Sequence, residues 1–182
     1  MATLKNSTNP KFQTAVIDCT FDANSNDPDA LQKALDRIAE EASFAIQGEL
    51  GLEGVQAVIL SDKLAGPDRI PVPTLLAVGT VHQHLLKTKQ RPKGAIFAES
   101  GDVREVHDFA TLFGYGCDGV CPYVAYEGLA KMNNDGLIES ISKQEFDDEE
   151  LFSVYRKSAH KGLLKVMSKM GISTLQVSET KK

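Results

Sequence analysis

The sequence lacks any apolar run near the roughly 20 residues that a membrane-spanning helix requires. Its longest, such as Leu75-Leu76-Ala77-Val78, are a few residues long, so no membrane partner is expected. A basic excess is also missing. The 25 acidic side chains outnumber the 20 basic ones, and the net charge of -5 is spread along the chain. No cationic face is left to neutralise phosphates, which argues against nucleic acid as a partner. Cysteine is scarce: Cys19, Cys117 and Cys121 form an odd set with no secretory leader ahead of them. That pattern points to a reducing compartment rather than a disulfide framework. The expectation is a soluble protein of the cytoplasm, with a plastid or mitochondrial matrix also compatible. There is no internal repeat and no low-complexity tract.

What is present suits one compact domain: 182 residues, 42% of them hydrophobic. Short β-branched runs, Thr14 to Ile17, Ala57 to Leu60, Ala95 to Phe97 and Gly119 to Cys121, alternate with segments of helical period. Such alternation predicts an α/β fold of parallel βα units. Four or five units are too few to close an eight-stranded barrel, so the sheet is expected to be open or a half-barrel, flanked by helices.

A first helix should be capped by Asp27, take Pro28 in its first turn, bury Leu31, Leu35, Ile38, Ala42, Ala45 and Ile46, and stop at Gly48. A second runs from Pro73 to Thr88. A third is expected to open at Asp102, where Asp102 and Glu105 have capping-box spacing, and to end at Gly114-Tyr115-Gly116. A fourth spans Tyr123 to Met132, and a last helical region, opened by Ser142 with Glu145, runs toward Gly171. Ile172 to Leu175 is a candidate fifth strand.

The reactive side chains have mostly structural readings. His82 and His84 form an HxH pair, but on a helix their rings diverge by about 200°, which favours a half-buried structural His82 over a metal ligand. His107 is read in the same way. Glu99, Ser100 and Asp102 follow a strand and precede a helix, a position where α/β proteins place catalytic or phosphate-binding groups, although capping accounts for Asp102 and Glu105. Gly114, Gly116 and Gly119 lack the setting of a dinucleotide fingerprint. Cys117 and Cys121 offer too few thiolates for zinc or an iron–sulfur centre and are read as buried thiols. The segment Asp62 to Pro73, with Lys63, Asp68 and Arg69, is read as a surface crossover stiffened by prolines, or as a loop lining a cavity. Lys161, Lys165 and Lys169 complement a helix dipole.

Taken together, Ile59 to Asp62, Arg69 to Gly79 with His82 and His84, Glu99 to Gly101, Arg104 to His107, Gly114 to Gly116, Asp118 and Pro122-Tyr123 resemble the central domain of glutamate synthases. The run Lys161 to Thr174 is similar to the opening of that family's flavin domain. The resemblance implies a parent enzyme with an amidotransferase domain, a central α/β domain, and a domain holding FMN and an iron–sulfur cluster, reached by ammonia through a tunnel.

The resemblance further implies a central α/β domain (13–145) and a helix and first strand leading into the FMN-binding domain (146–176), between two ends whose polar composition predicts flexible tails (1–12 and 177–182). The amidotransferase cysteine, most of the flavin barrel and the cluster ligands have no counterpart here, so no cofactor is expected in this chain alone. Ser168, Lys169 and Ser173 are the positions that match possible remnants of the flavin and 2-oxoglutarate site. Three readings follow: a non-catalytic central-domain fragment whose partners are the remaining domains or subunits of the synthase, a stand-alone module docking on synthase subunits, or a small enzyme using Glu99, Asp62 and Lys169.

Overall fold

A computed structural model describes residues 1–9, 12–48 and 54–175. After a single helical turn, α1 (Ala2–Lys5), the chain forms β1 (Thr14–Asp18), β2 (Thr20–Asp22), α2 (Ala30–Gln47), β3 (Ala57–Ser61), β4 (Arg69–Pro71), α3 (Thr74–Lys87) and β5 (Ala95–Glu99). Then come α4 (Val106–Gly114), β6 (Gly119–Cys121), α5 (Tyr123–Asn134), α6 (Leu137–Ser142) and α7 (Asp148–Met170). The main sheet is parallel, in the order β1-β3-β5-β6. Each new strand is added beside its predecessor in one direction, the winding of a half-barrel.

Crossovers of one hand repeated in one direction leave the connecting helices on one face of the sheet. The core lies there: Ile17, Val58, Leu60, Ile96 and Ala98 pack against Leu35, Ile38 and Ala42 of α2, Val78, Val81 and Leu85 of α3, and Leu112 of α4. The alternate strand residues, among them Val16, Ile59, Phe97, Ser61 and Glu99, point to the opposite, inner face. β3 is buried along its whole length, as expected of a central parallel strand.

The four strands of this sheet lie where the apolar runs predicted them. The Asp62 to Pro73 crossover is more than a loop, because β4 within it pairs antiparallel with β2 and ties the segment to the sheet's first strand. These three-residue strands carry no apolar alternation that would announce them.

Several predicted helix starts move. α2 begins at Ala30, and the Asp27 carboxylate instead receives the Asp29 amide and Lys33. α4 begins at Val106, and its capping box is Glu105 with Asp108 rather than Asp102 with Glu105. α6 ends at Ser142, and the last helix is opened by a box of Asp147 and Glu150 rather than by Ser142 and Glu145. Ile172 to Thr174 form no strand: α7 stops at Gly171 in the left-handed conformation, and no neighbouring strand accepts their backbone groups among the described residues. Residues 177–182 lie outside the described residues. The predicted loose N-terminal tail contains α1 and is anchored, since Lys5 reaches Glu99.

α7 is held to the body by aromatic packing. Tyr126 stacks tilted on Phe152 at 4.8 Å and edge-on to Tyr155 at 5.7 Å, and the Tyr155 hydroxyl donates to the Arg104 carbonyl at 2.9 Å. Gly162 lets α7 approach α4, because a Cβ there would lie 2.3 Å from Val106.

His82, predicted to be half-buried, is fully buried, and the structure supplies its partner. Arg91 donates through Nε to His82 Nδ1 at 3.1 Å, and its remaining nitrogens reach the Gly94 and Gly116 carbonyls and Asp118. His107, by contrast, is exposed on α4. Gly116, at φ 97°, lies flat on the imidazole, and an added Cβ would sit 2.1 Å from Nδ1. Gly116→Ala therefore combines left-handed strain with a clash against a buried ring. It is expected to lower stability by about 2–3 kcal/mol in a urea titration.

Candidate functional site

The C-terminal ends of β3 and β5 bring together most of the polar side chains that the sequence singled out. In the register, Asp18, Ser61, Glu99 and Cys121 form one row across the sheet, on its inner face. Ser61 Oγ donates to Glu99 Oε2 at 2.6 Å, Lys5 Nζ meets the same oxygen at 2.5 Å, and Lys63 lies 3.6 Å from Oε1. Burial alone would push the Glu99 carboxyl up. The hydrogen bonds from Lys5 and Ser61 and the charges of Lys5 and Lys63 outweigh it, and the group is held below its ordinary value of 4.5.

One residue further on, Asp62 is buried as well. Its carboxylate receives the Gly101 amide at 2.8 and 3.2 Å and Ser100 Oγ at 3.3 Å. The Tyr123 phenol is pushed up by burial and by its hydrogen bond to Asp62, and Lys63 sits over the Tyr123 ring at 4.9 Å. Ser100 Oγ also contacts Thr74 Oγ1 at 2.6 Å and receives the Asp102 amide at 3.0 Å. The Asp102 carboxylate receives the Thr74 amide and hydroxyl, both at 3.3 Å. Asp102 thus serves the first turn of α3, 28 residues upstream, rather than its own helix.

The neighbouring strand end is organised by arginines. Arg69 pairs with Asp18 and donates through Nε to Thr20 Oγ1 at 2.7 Å, and Arg37 donates to the carbonyls of Asp18 and Thr20 at 2.9 and 3.0 Å.

Chemically, these contacts hold the strand-end side chains in place. Among the described residues no buried side-chain nitrogen or oxygen lacks a partner. Nor do the cysteines supply a poised nucleophile: burial pushes the Cys19 and Cys117 thiols up to about 12, and it also raises Cys121, which is half-buried rather than fully buried as predicted. Ser168 and Lys169 are exposed in the last turn of α7, and Ser173 is exposed just beyond it. Glu99 and Asp62 therefore share one strand edge, while Lys169 belongs to a helix end. Sequence reasoning missed Lys5 and Thr74. Nothing local marks Lys5, whose partner is 94 residues away.

The family model described as the glutamate synthase central domain matches residues 1–179. Glutamate synthase (NADH) of Saccharomyces cerevisiae is 39% identical over 168 residues, covering 91% of this chain and 8% of that protein. Glutamate synthase (NADPH) large chain of Bacillus subtilis is 39% identical over 173 residues, 95% of this chain and 10% of its own length. Ferredoxin-dependent glutamate synthase 2, chloroplastic, of Arabidopsis thaliana is 33% identical over 175 residues, 90% and 10%. The chain spans about a tenth or less of each relative.

The depressed Glu99 carboxyl has a signed consequence. Its contribution to stability is complete above the ordinary value of 4.5 and is lost as pH falls through the lower folded-state value. Urea midpoints measured on acidification should fall across that window, and Glu99→Gln should flatten that fall. Asp62→Ala leaves the part-buried Gly101 amide without this acceptor and is expected to cost about 1–3 kcal/mol at neutral pH.

Proposed function

Because this chain belongs to the glutamate synthase central domain family, we propose that it is a framework piece of that enzyme and contributes no catalytic group of its own. The parent reaction, on this proposal, transfers the amide nitrogen of L-glutamine to 2-oxoglutarate with reduction, giving two L-glutamate. The domain then holds the amidotransferase and flavin sites in register and lines the passage for ammonia between them. The observation that carries the reading is the strand-end network. In an α/β fold this edge is where reacting groups usually stand, yet Ser61, Asp62, Glu99, Ser100 and Thr74 are engaged with one another and with backbone amides.

FMN and an iron–sulfur cluster belong, on this reading, to the parent's other parts, and the residues here do not fit either group. Cys19 and Cys117 are buried thiols that donate to backbone carbonyls, far from the thiolate state that a cluster demands. The groove beside Ser168 and Lys169, of about 270 Å³, is lined by apolar residues such as Phe113, Met167, Met170 and Ile172, and among the described residues no cation lines it to meet a phosphate. We assign Ser168, Lys169 and Ser173 a contact with flavin or 2-oxoglutarate only in a complete synthase. The same proposal makes 13–145 the central unit and 146–176 the lead into the flavin domain, with the cytoplasm, a plastid or the mitochondrial matrix as compartment. Among the described residues no helix is long and apolar enough to cross a membrane.

The apolar groove between α4 and α7 favours a second reading, in which the chain is an assembly module that docks on other synthase subunits. Its mark would be co-purification with a larger flavoprotein.

The framework reading is tested on the purified chain supplied with FMN, glutamine, 2-oxoglutarate and a reductant. It is expected to stay colourless after desalting and to form no glutamate. Retained flavin absorbance or glutamate production would contradict it.

A further inference from the structure

α7 carries a charge distribution that its place in the fold does not explain. No Asp or Glu occurs from Leu151 to Leu175, a stretch that holds Arg156, Lys157, His160, Lys161, Lys165 and Lys169, in a chain whose net charge is -5. Lys157, Lys161, Lys165 and Lys169 recur every fourth residue. Each stands about one turn beyond the last and about 40° around the helix, in a column about 18 Å long. All four are exposed. They lie on the side of α7 turned away from Leu163, Val166 and Met167, which line its groove with α4.

Helix energetics accounts for one of them. Favourable interaction with the helix dipole is confined to the last turn, and of the four only Lys169 is there. The others are like charges at four-residue spacing, an arrangement that destabilises a helix. α2 and α5, by contrast, set cations against acids, in Arg37 with Glu41 and Lys131 with Asp135. Among the described residues no carboxylate pairs with any of the four lysines. Two exposed apolar side chains, Val154 and Leu164, border the column.

We propose that this lysine ridge is a docking surface for a protein partner that presents an acidic face, a row of carboxylates with apolar side chains beside it. The charge distribution favours a protein over a nucleic acid or an anionic membrane. Those polyanions extend well beyond the ridge and would meet the acidic first turn of α7, Asp148, Glu149 and Glu150, and the net negative charge of the chain. Lysine is a compact point charge, whereas arginines and aromatic rings grip phosphates and bases. Arg156, the one arginine of α7, is held by Glu149 instead. The proposal needs only the residues of α7 and does not depend on the framework role.

The full chain is titrated at low salt against fluorescently labelled poly-L-glutamate, duplex DNA, and vesicles of equal parts phosphatidylglycerol and phosphatidylcholine. It is expected to bind poly-L-glutamate most tightly and to release it as salt is raised. The triple variant Lys157→Gln, Lys161→Gln and Lys165→Gln should weaken that binding about tenfold. A control triple, Lys33→Gln, Lys87→Gln and Lys93→Gln, makes the same change in charge on other exposed segments and should leave binding within about twofold. Because neutralising the column relieves repulsion, the first variant should also melt no lower than the unaltered chain. Absence of binding, an equal loss in both triples, or tighter binding to DNA or vesicles would overturn the proposal. So would a lower melting temperature in the first variant, which would make the lysines structural.

Discussion

Two carboxylates, Asp62 and Glu99, sit at the ends of adjacent parallel strands and are almost wholly removed from water. A charge in that position is costly unless each oxygen is met by a donor or a cation. Much of the surrounding architecture answers that requirement. Asp62 gathers the Gly101 amide and the Tyr123 hydroxyl, which joins the end of β5 to the start of α5. Glu99 gathers Ser61 from the next strand and lysines from two distant segments. Ser100 and Asp102 continue the network into the first turn of α3. The strand edge is cross-linked by hydrogen bonds.

That cross-linking fits a domain whose work is positional. The half-barrel winding puts the apolar core and its helices on one face and leaves a mixed polar and apolar face on the other. With α2, α3 and α4 stacked on the other side, the inner face is the surface on which the proposed framework role would place further parts of a larger enzyme or a small diffusing molecule. In this chain Met1–Asn9 occupies part of it. A domain whose anchoring charges are internally satisfied keeps its shape without a bound ligand, as the proposed framework role requires.

Much of this was legible in the sequence. Continuous apolar runs announced β3 and β5, helical stripes announced α2 and α3, and the phase of His82 on α3 placed it inside. The family resemblance rested on segments that form the strand ends, on α3 and on the last turns of α7. What could not be read depends on partners distant in sequence. Asp102 with Glu105 and Glu105 with Asp108 both satisfy capping-box spacing, and the choice fell to the second because Thr74 draws Asp102 away. The β2–β4 ladder joins two three-residue strands 49 positions apart with no alternation to mark them. The Lys5–Glu99 pair spans 94 residues, and a polar N-terminal stretch reads locally as a loose tail. Local pattern fixes elements well and tertiary pairing poorly.

The central claim is that the strand-end carboxylates are structural anchors, locked in place without any ligand. Hydrogen exchange at the Gly101 amide reports on this most directly, because that amide lies in a loop and its acceptor, among the described residues, is the Asp62 carboxylate. The account predicts that it exchanges as slowly as the amides of β3 and β5. Exchange at the rate of an unprotected loop would show a strand edge free to rearrange around a substrate, and would contradict it.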